Sequence, residues 1–144
     1  VQTCALPISV SAGKNATSED IEWVRSILLK SGKVIVVPEE LQDAVTATSG
    51  SGPAYFFAMV EAMAGAAEKL GLSSDDAMTL AKETLIGAAA MLRESGKDAK
   101  TLRENVTSPK GTTAAALAKL SESNFEGLVY EAMKAARDRS IELS

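Results

Sequence analysis

The sequence predicts a mainly α-helical fold: a helical bundle preceded by one short strand–helix–strand piece. Three observations carry this. Apolar residues make up 46% of the chain but aromatic ones only 4%, so Ala, Leu, Val, Ile and Met must fill the core, as they do between closely packed helices. After Pro38 every apolar segment reads as a helix bounded by proline, glycine or a capping hydroxyl, whereas the β-branched runs lie before it. The length, 144 residues, is that of about one domain and leaves no room for two large lobes.

The opening "VQTCALPIS" has neither charge nor period. It resembles the translation of a common sequencing adapter, so residues 1–9 are expected to be a non-native leader. "ISVSA" from Ile8 alternates like a short strand, and "KVIVV", Lys33 to Val37, reads as a buried one. Between them Thr17 and Asp20 make a capping box. Ile21, Val24, Ile27 and Leu28 form an apolar stripe, and Gly32 stands where a terminating glycine belongs. Two short strands rarely hold together unaided, so this piece reads as the tail of something larger, with Trp23 packing toward it.

Beyond Pro38 a first helix is expected over about Glu40–Thr48, then a break at "SGSGP". A long helix follows over about Pro53–Leu70, closed by Gly71. The next starts after Ser73 or Ser74, where Asp75 and Asp76 oppose the positive end of the helix dipole, and stops near Gly96. Further helices are expected over about Ala99–Asn105, Thr112–Leu120 and Phe125–Leu143. In the two long central helices the polar strip is narrow: the first offers only Glu61, Glu68, Lys69 and the Tyr55 hydroxyl. A helix apolar nearly all round must be buried nearly all round. A partner subunit covering both is expected, with a monomeric bundle as the plain alternative. The runs Ala64–Ala67 and Gly87–Ala90 would permit close helix approach.

Charge and composition exclude several classes. A net charge of −4 and a pI near 4.9 argue against nucleic acid. Runs such as "LIGAAAML" fall far short of the roughly 20 residues a membrane span needs. One cysteine, Cys4, allows no internal disulfide, so an oxidising compartment gains no support and a cytoplasmic protein is expected. Histidine is absent, which removes His bases, Ser-His-Asp triads and nearly all zinc sites; no metal is expected.

Two constellations remain. "TSGSGPAY", Thr48 to Tyr55, has a G-x-G but neither a third glycine nor a preceding strand. It reads as a helix entry where Gly50 and Gly52 let a backbone or flat ring come close. In "NVTSPKGTT", Asn105 to Thr113, Ser108-Pro109 opens a turn and Gly111 is expected to lend conformational freedom. The amides of Gly111, Thr112 and Thr113 would then be unsatisfied donors at a helix start, a place that attracts carboxylate or phosphate. Thr113 adds a hydroxyl beside the anion. The plain alternative is that Thr112 or Ser108 merely caps the helix. Lys110 reads as a solvated side chain, and Glu61 and Glu68, seven apart on one helix face, as interfacial or solvated ones.

"DAVTATSGSGPAYFFAMVEAM" from Asp43 and "LRENVTSPKGTTAAALAKL" from Leu102 resemble the two characteristic segments of pyrroline-5-carboxylate reductases. The resemblance runs from about Val10 to the C-terminus. It implies that positions 10–37 are the last strand–helix–strand of a Rossmann domain binding NADPH or NADH. Positions 38–144 would be a helical dimerisation bundle of the 6-phosphogluconate dehydrogenase C-terminal-like type, interlocked in a homodimer of the kind that in the family is often assembled further into a decamer. Carried over position by position, Val106, Ser108, Gly111, Thr112 and Thr113 line the site of a cyclic imino acid. Thr113 holds its nitrogen and is the expected catalytic residue. Ser49, Gly50, Ser51, Gly52 and Pro53 lie toward the nicotinamide. Lys110 departs from the family pattern, which usually has a second glycine there; an ordinary backbone conformation would tolerate it. The helical dimerisation domain of another dehydrogenase, or a non-catalytic helical interaction module, are the competing readings.

Overall fold

The structure, a computed structural model, describes residues 7–143. In chain order come β1 (Ile8–Val10), α1 (Ser18–Leu28), β2 (Val34–Val36), a 3₁₀ turn (Glu39–Leu41), α2 (Gln42–Val45), a π-turn (Thr46–Gly50), α3 (Gly52–Lys69), α4 (Ser74–Glu94), α5 (Ala99–Asn105), α6 (Thr112–Glu122) and α7 (Phe125–Leu143). The chain divides into two units: residues up to Pro53 with those from Val129 onward, and Ala54–Leu128.

In the first unit β1 and β2 pair in parallel, Ile8 with Val34 and Val10 with Val36. A parallel pair needs a crossover, and α1 supplies it. Its start is the expected capping box. Thr17 Oγ1 accepts from the Asp20 amide at 3.2 Å, and Asp20 Oδ2 accepts from the Thr17 amide at 2.8 Å. Of the predicted stripe, Ile21, Val24 and Leu28 are half-buried while Ile27 is exposed, as are Ile35 and Val36 of β2. That exposure is unusual for a parallel pair, which is ordinarily covered on both faces. The leader expected over residues 1–9 lies outside the described residues as far as Leu6, whereas Ile8 and Ser9 are part of β1.

The predicted break at "SGSGP" is instead a continuation of the helix in wider form. Thr46–Gly50 winds as a π-turn, and the Ser51 amide donates to the Thr46 carbonyl, five residues back, at 2.9 Å. Thr48 and Ser49 turn their hydroxyls onto the carbonyls of Ala44 and Val45, at 2.7 and 3.1 Å. The serines and glycines thus widen the helix rather than ending it, and the first helix and the long one are separated only by Ser51.

In the second unit Ala64 of α3 and Ala77 and Ala81 of α4 are almost fully buried, with Val60 and Ala67 against them. Gly71 ends α3 as expected, with φ of 105°. The Leu72 amide reaches the Ala67 carbonyl at 3.1 Å and the Gly71 amide that of Glu68 at 2.9 Å, the paired bonds of a left-handed helix stop. Ser73 caps α4 through the Asp76 amide, and Asp98 caps α5 through that of Thr101. A Cβ at Gly65 or Gly87 would meet nothing within 4 Å, so neither glycine is required by a close approach within the chain.

Candidate active site

The turn between α5 and α6 is held from both ends. Thr107 finishes α5: its amide donates to the Glu104 carbonyl at 3.0 Å and its hydroxyl to that of Arg103 at 2.6 Å. Val106, just past α5, is 57% exposed. Ser108 opens a four-residue turn, its carbonyl accepting from the Gly111 amide at 3.0 Å.

Gly111 is the N-cap of α6, with φ −79° and ψ 174°, and no side chain caps this helix. Neither Thr112 nor Ser108 takes the capping role that the plain alternative gave them. The first α6 amide to pair within the helix is that of Ala115, with the Gly111 carbonyl at 3.1 Å. Among the described residues nothing accepts from the amides of Thr112, Thr113 and Ala114. The Gly111 amide, expected to be one of three free donors with those of Thr112 and Thr113, is instead used inside the turn.

Two expectations about this loop are corrected. Gly111 does not supply unusual backbone freedom, since its φ is one that any residue adopts. It is glycine for space: a Cβ there would collide with the Ser108 hydroxyl and lie 3.1 Å from the Ser108 carbonyl. The left-handed residue is Lys110, at φ 61°, so the side chain that departs from the family pattern sits in a backbone conformation that is not ordinary. Lys110 is exposed and makes no ion pair among the described residues.

The consequence is electrostatic. Three amide hydrogens lie at the positive end of an 11-residue helix, with the Ser108 hydroxyl beside Gly111 and the half-buried Thr113 within the first turn. Hydrogen bonds from neutral donors to a charged acceptor are worth about 1.5–3 kcal/mol each, so three free amides at one helix start form a candidate anion site.

Ser49, Gly50, Ser51, Gly52 and Pro53 belong to the other unit and form the end of the π-turn and the start of α3. Gly52 is buried, and a Cβ on it would meet nothing within 4 Å; Gly50 would touch only the Thr46 methyl, at an ordinary 3.6 Å. The π-turn itself was missed from sequence. Its only signal is the crowding of small hydroxyl residues ahead of two glycines, which a break shares. Glu61 and Glu68 are exposed, and no group of acidic side chains able to hold a metal occurs among the described residues.

A mainly helical domain behind a strand–helix–strand piece is the class these features define. Residues 39–143 match the family model described as pyrroline-5-carboxylate reductase dimerisation. The pyrroline-5-carboxylate reductase of Corynebacterium melassecola is 44% identical over 135 residues, 94% of this chain and 50% of its own length. That of Arabidopsis thaliana is 42% identical over 135 residues, 94% and 49%. The solved pyrroline-5-carboxylate reductase of Coxiella burnetii superposes with a TM-score of 0.87 at 38% identity, over 96% of this chain and 52% of that one. The Plasmodium falciparum enzyme, solved with NADP bound, does so with 0.75 at 33%, over 92% and 54%. The chain belongs to the pyrroline-5-carboxylate reductase family. It spans about half the length of the curated relatives it matches.

Proposed function

We propose that this chain is the substrate-binding and dimerising part, residues 38–144, of an enzyme that reduces 1-pyrroline-5-carboxylate to L-proline with NADPH or NADH. Residues 10–37 are read as the last strand–helix–strand of its nucleotide-binding domain. The observation that carries the reading is the uncapped start of α6, where the amides of Thr112, Thr113 and Ala114 have no acceptor among the described residues and the Ser108 hydroxyl stands beside Gly111. The substrate is a small anion with a ring nitrogen beside its carboxylate. The amides and Ser108 take the carboxylate, with Val106 and Gly111 lining the ring, and the Thr113 hydroxyl lies close enough in sequence to steady the nitrogen.

A pyrroline C=N bond becomes strongly electrophilic once its nitrogen is protonated. The bound nicotinamide supplies a hydride to the imine carbon, and the product is proline. What this chain must do is hold the ring in one orientation and favour the cationic nitrogen, work for hydroxyls and amides that requires no histidine. Residues Ser49 to Pro53 are read as the nicotinamide end, where the exposed Gly50 offers backbone without a side chain to a flat ring. No G-x-G-x-x-G or G-x-G-x-x-A run follows a strand in this sequence, so this chain alone is expected to show no NAD(P)H oxidation. The assembly read here is a homodimer in the cytoplasm, open to stacking into a decamer.

The test is Thr113→Ala in a full-length enzyme carrying this chain. Turnover is expected to fall about 10²-fold, and turnover within about threefold of the parent contradicts the assignment.

A further inference from the structure

We propose that Gln42 is a positioning residue which, with Asp43, clamps the strand–helix–strand lobe onto α2 and α7 and so sets the direction in which that lobe presents its cofactor. The inference rests on reading residues 10–37 as part of a nucleotide-binding lobe.

Gln42 is the first residue of α2, four places after Pro38. Its side-chain amide faces two hydroxyls of the first strand segment. Ser9 Oγ donates to Gln42 Oε1 at 2.7 Å, and Gln42 Nε2 donates to Ser11 Oγ at 2.6 Å. The Ser11 hydroxyl in turn donates to the carbonyl of Val37, the residue after β2, at 2.8 Å. Residues two apart on a strand share a face, so one glutamine reaches both serines. Through Ser11 it ties the ends of β1 and β2 to the first turn of α2. The neighbouring residue holds the opposite partner: Asp43 Oδ1 accepts from Ser140 Oγ of α7 at 2.6 Å.

All four bonds are half-buried and join residues between 26 and 97 places apart. The capping bonds of Thr17, Ser73 and Thr107, by contrast, lie on exposed surface and join residues three or four apart. Polar groups sheltered from water are held more firmly, and an unmade bond there is costlier. Between β2 and α2 the backbone runs only from Val37 to Leu41, with Pro38 fixed at φ −57° and the Leu41 amide bonded to its carbonyl. Without Gln42 the arms to both Ser9 and Ser11 are lost, and the lobe can pivot about that short connection. Hydride transfer is sensitive to such a pivot, since a displacement of about 1 Å remote from the reacting atoms can cost 10²-fold in rate.

The test uses spin labels at Glu22 on α1 and Glu131 on α7, both exposed, in a Cys4→Ser background diluted with unlabelled chain. Pulsed electron resonance then reads the distance distribution within one chain. The parent is expected to give a narrow distribution, and Gln42→Leu one broader by about twofold. Ser11→Ala, the milder change, is expected to broaden it as well. Gln42→Leu already removes both arms, so adding Ser11→Ala, which then costs only the Val37 bond, is expected to broaden the distribution little further.

In the full-length enzyme Gln42→Leu is expected to lower kcat about tenfold with KM for the imino acid unchanged. The primary isotope effect from 4-deuterated NAD(P)H should rise as hydride transfer becomes limiting. A lower melting temperature with parental distance distribution and isotope effect would mean that Gln42 only stabilises, and would overturn the clamp. Absence of imine reduction in the parent full-length enzyme overturns the proposed function instead, and the distance distribution still decides the clamp.

Discussion

At the scale of single residues the loop before α6 shows how position and side chain trade against each other. A left-handed backbone costs a residue with a Cβ about 1–2 kcal/mol, and Lys110 carries that cost at φ 61°. Lys110→Gly is therefore expected to stabilise the fold by about 1 kcal/mol, read as a higher urea midpoint with an unchanged slope. A lower midpoint would show that the lysine side chain contributes more than its backbone strain costs. Sequence placed the unusual backbone at Gly111, one residue late, because freedom is the commonest reason for a glycine in a turn. The actual reason, room for the Ser108 hydroxyl, depends on where a neighbouring side chain points, and no single sequence shows that. The same holds at Asn124 and Gly127: Asn124 takes φ 53°, which asparagine tolerates, and its amide fills the space a Cβ at Gly127 would need.

At the scale of elements, what was legible is what short-range chemistry decides. Ala99–Asn105 and Phe125–Leu143 run as expected, and the capping box at Thr17 and Asp20 forms, because caps depend on residues three places apart. The π-turn and the Gln42–Ser11–Val37 link were not legible: one depends on a choice between two hydrogen-bond registers, the other on partners 26 and 31 residues distant. The caps also make an acid prediction. Amide donation from Thr17 holds the Asp20 carboxyl below its ordinary value, and that from Thr101 does the same for Asp98. Because both values are lower folded than unfolded, their stabilisation is complete above the ordinary carboxylate range, about pH 4, and is lost as pH falls through the folded values. Helicity followed by circular dichroism should decline over that acid interval, and Asp98→Asn should make part of the decline disappear. An unchanged acid profile in that variant would show that the α5 cap does not contribute to it.

At the scale of the molecule the dominant fact is surface. The chain exposes 11105 Å², whereas a compact protein of 15.0 kDa exposes about 7,000 Å². The difference is about 4,000 Å² per chain, so two copies carry about 8,000 Å² of such surface between them, beyond the roughly 2,000–5,000 Å² total that most obligate dimers bury. The exposed apolar side chains include Phe56, Phe57 and Met63 of α3 and Leu80, Ile86 and Leu92 of α4, the two helices whose sequences are apolar nearly all round. Sedimentation equilibrium at micromolar concentration is expected to show a dimer without measurable monomer. A monodisperse, folded monomer would remove the reason for those two helices. The central claim is nevertheless the grip of the α6 start on a carboxylate, and a crystal structure of the full-length enzyme with L-proline tests it most directly. The account predicts carboxylate oxygens about 3 Å from the amides of Thr112 and Thr113, with the Thr113 hydroxyl on the ring nitrogen. A proline carboxylate held by any other part of the chain would contradict it.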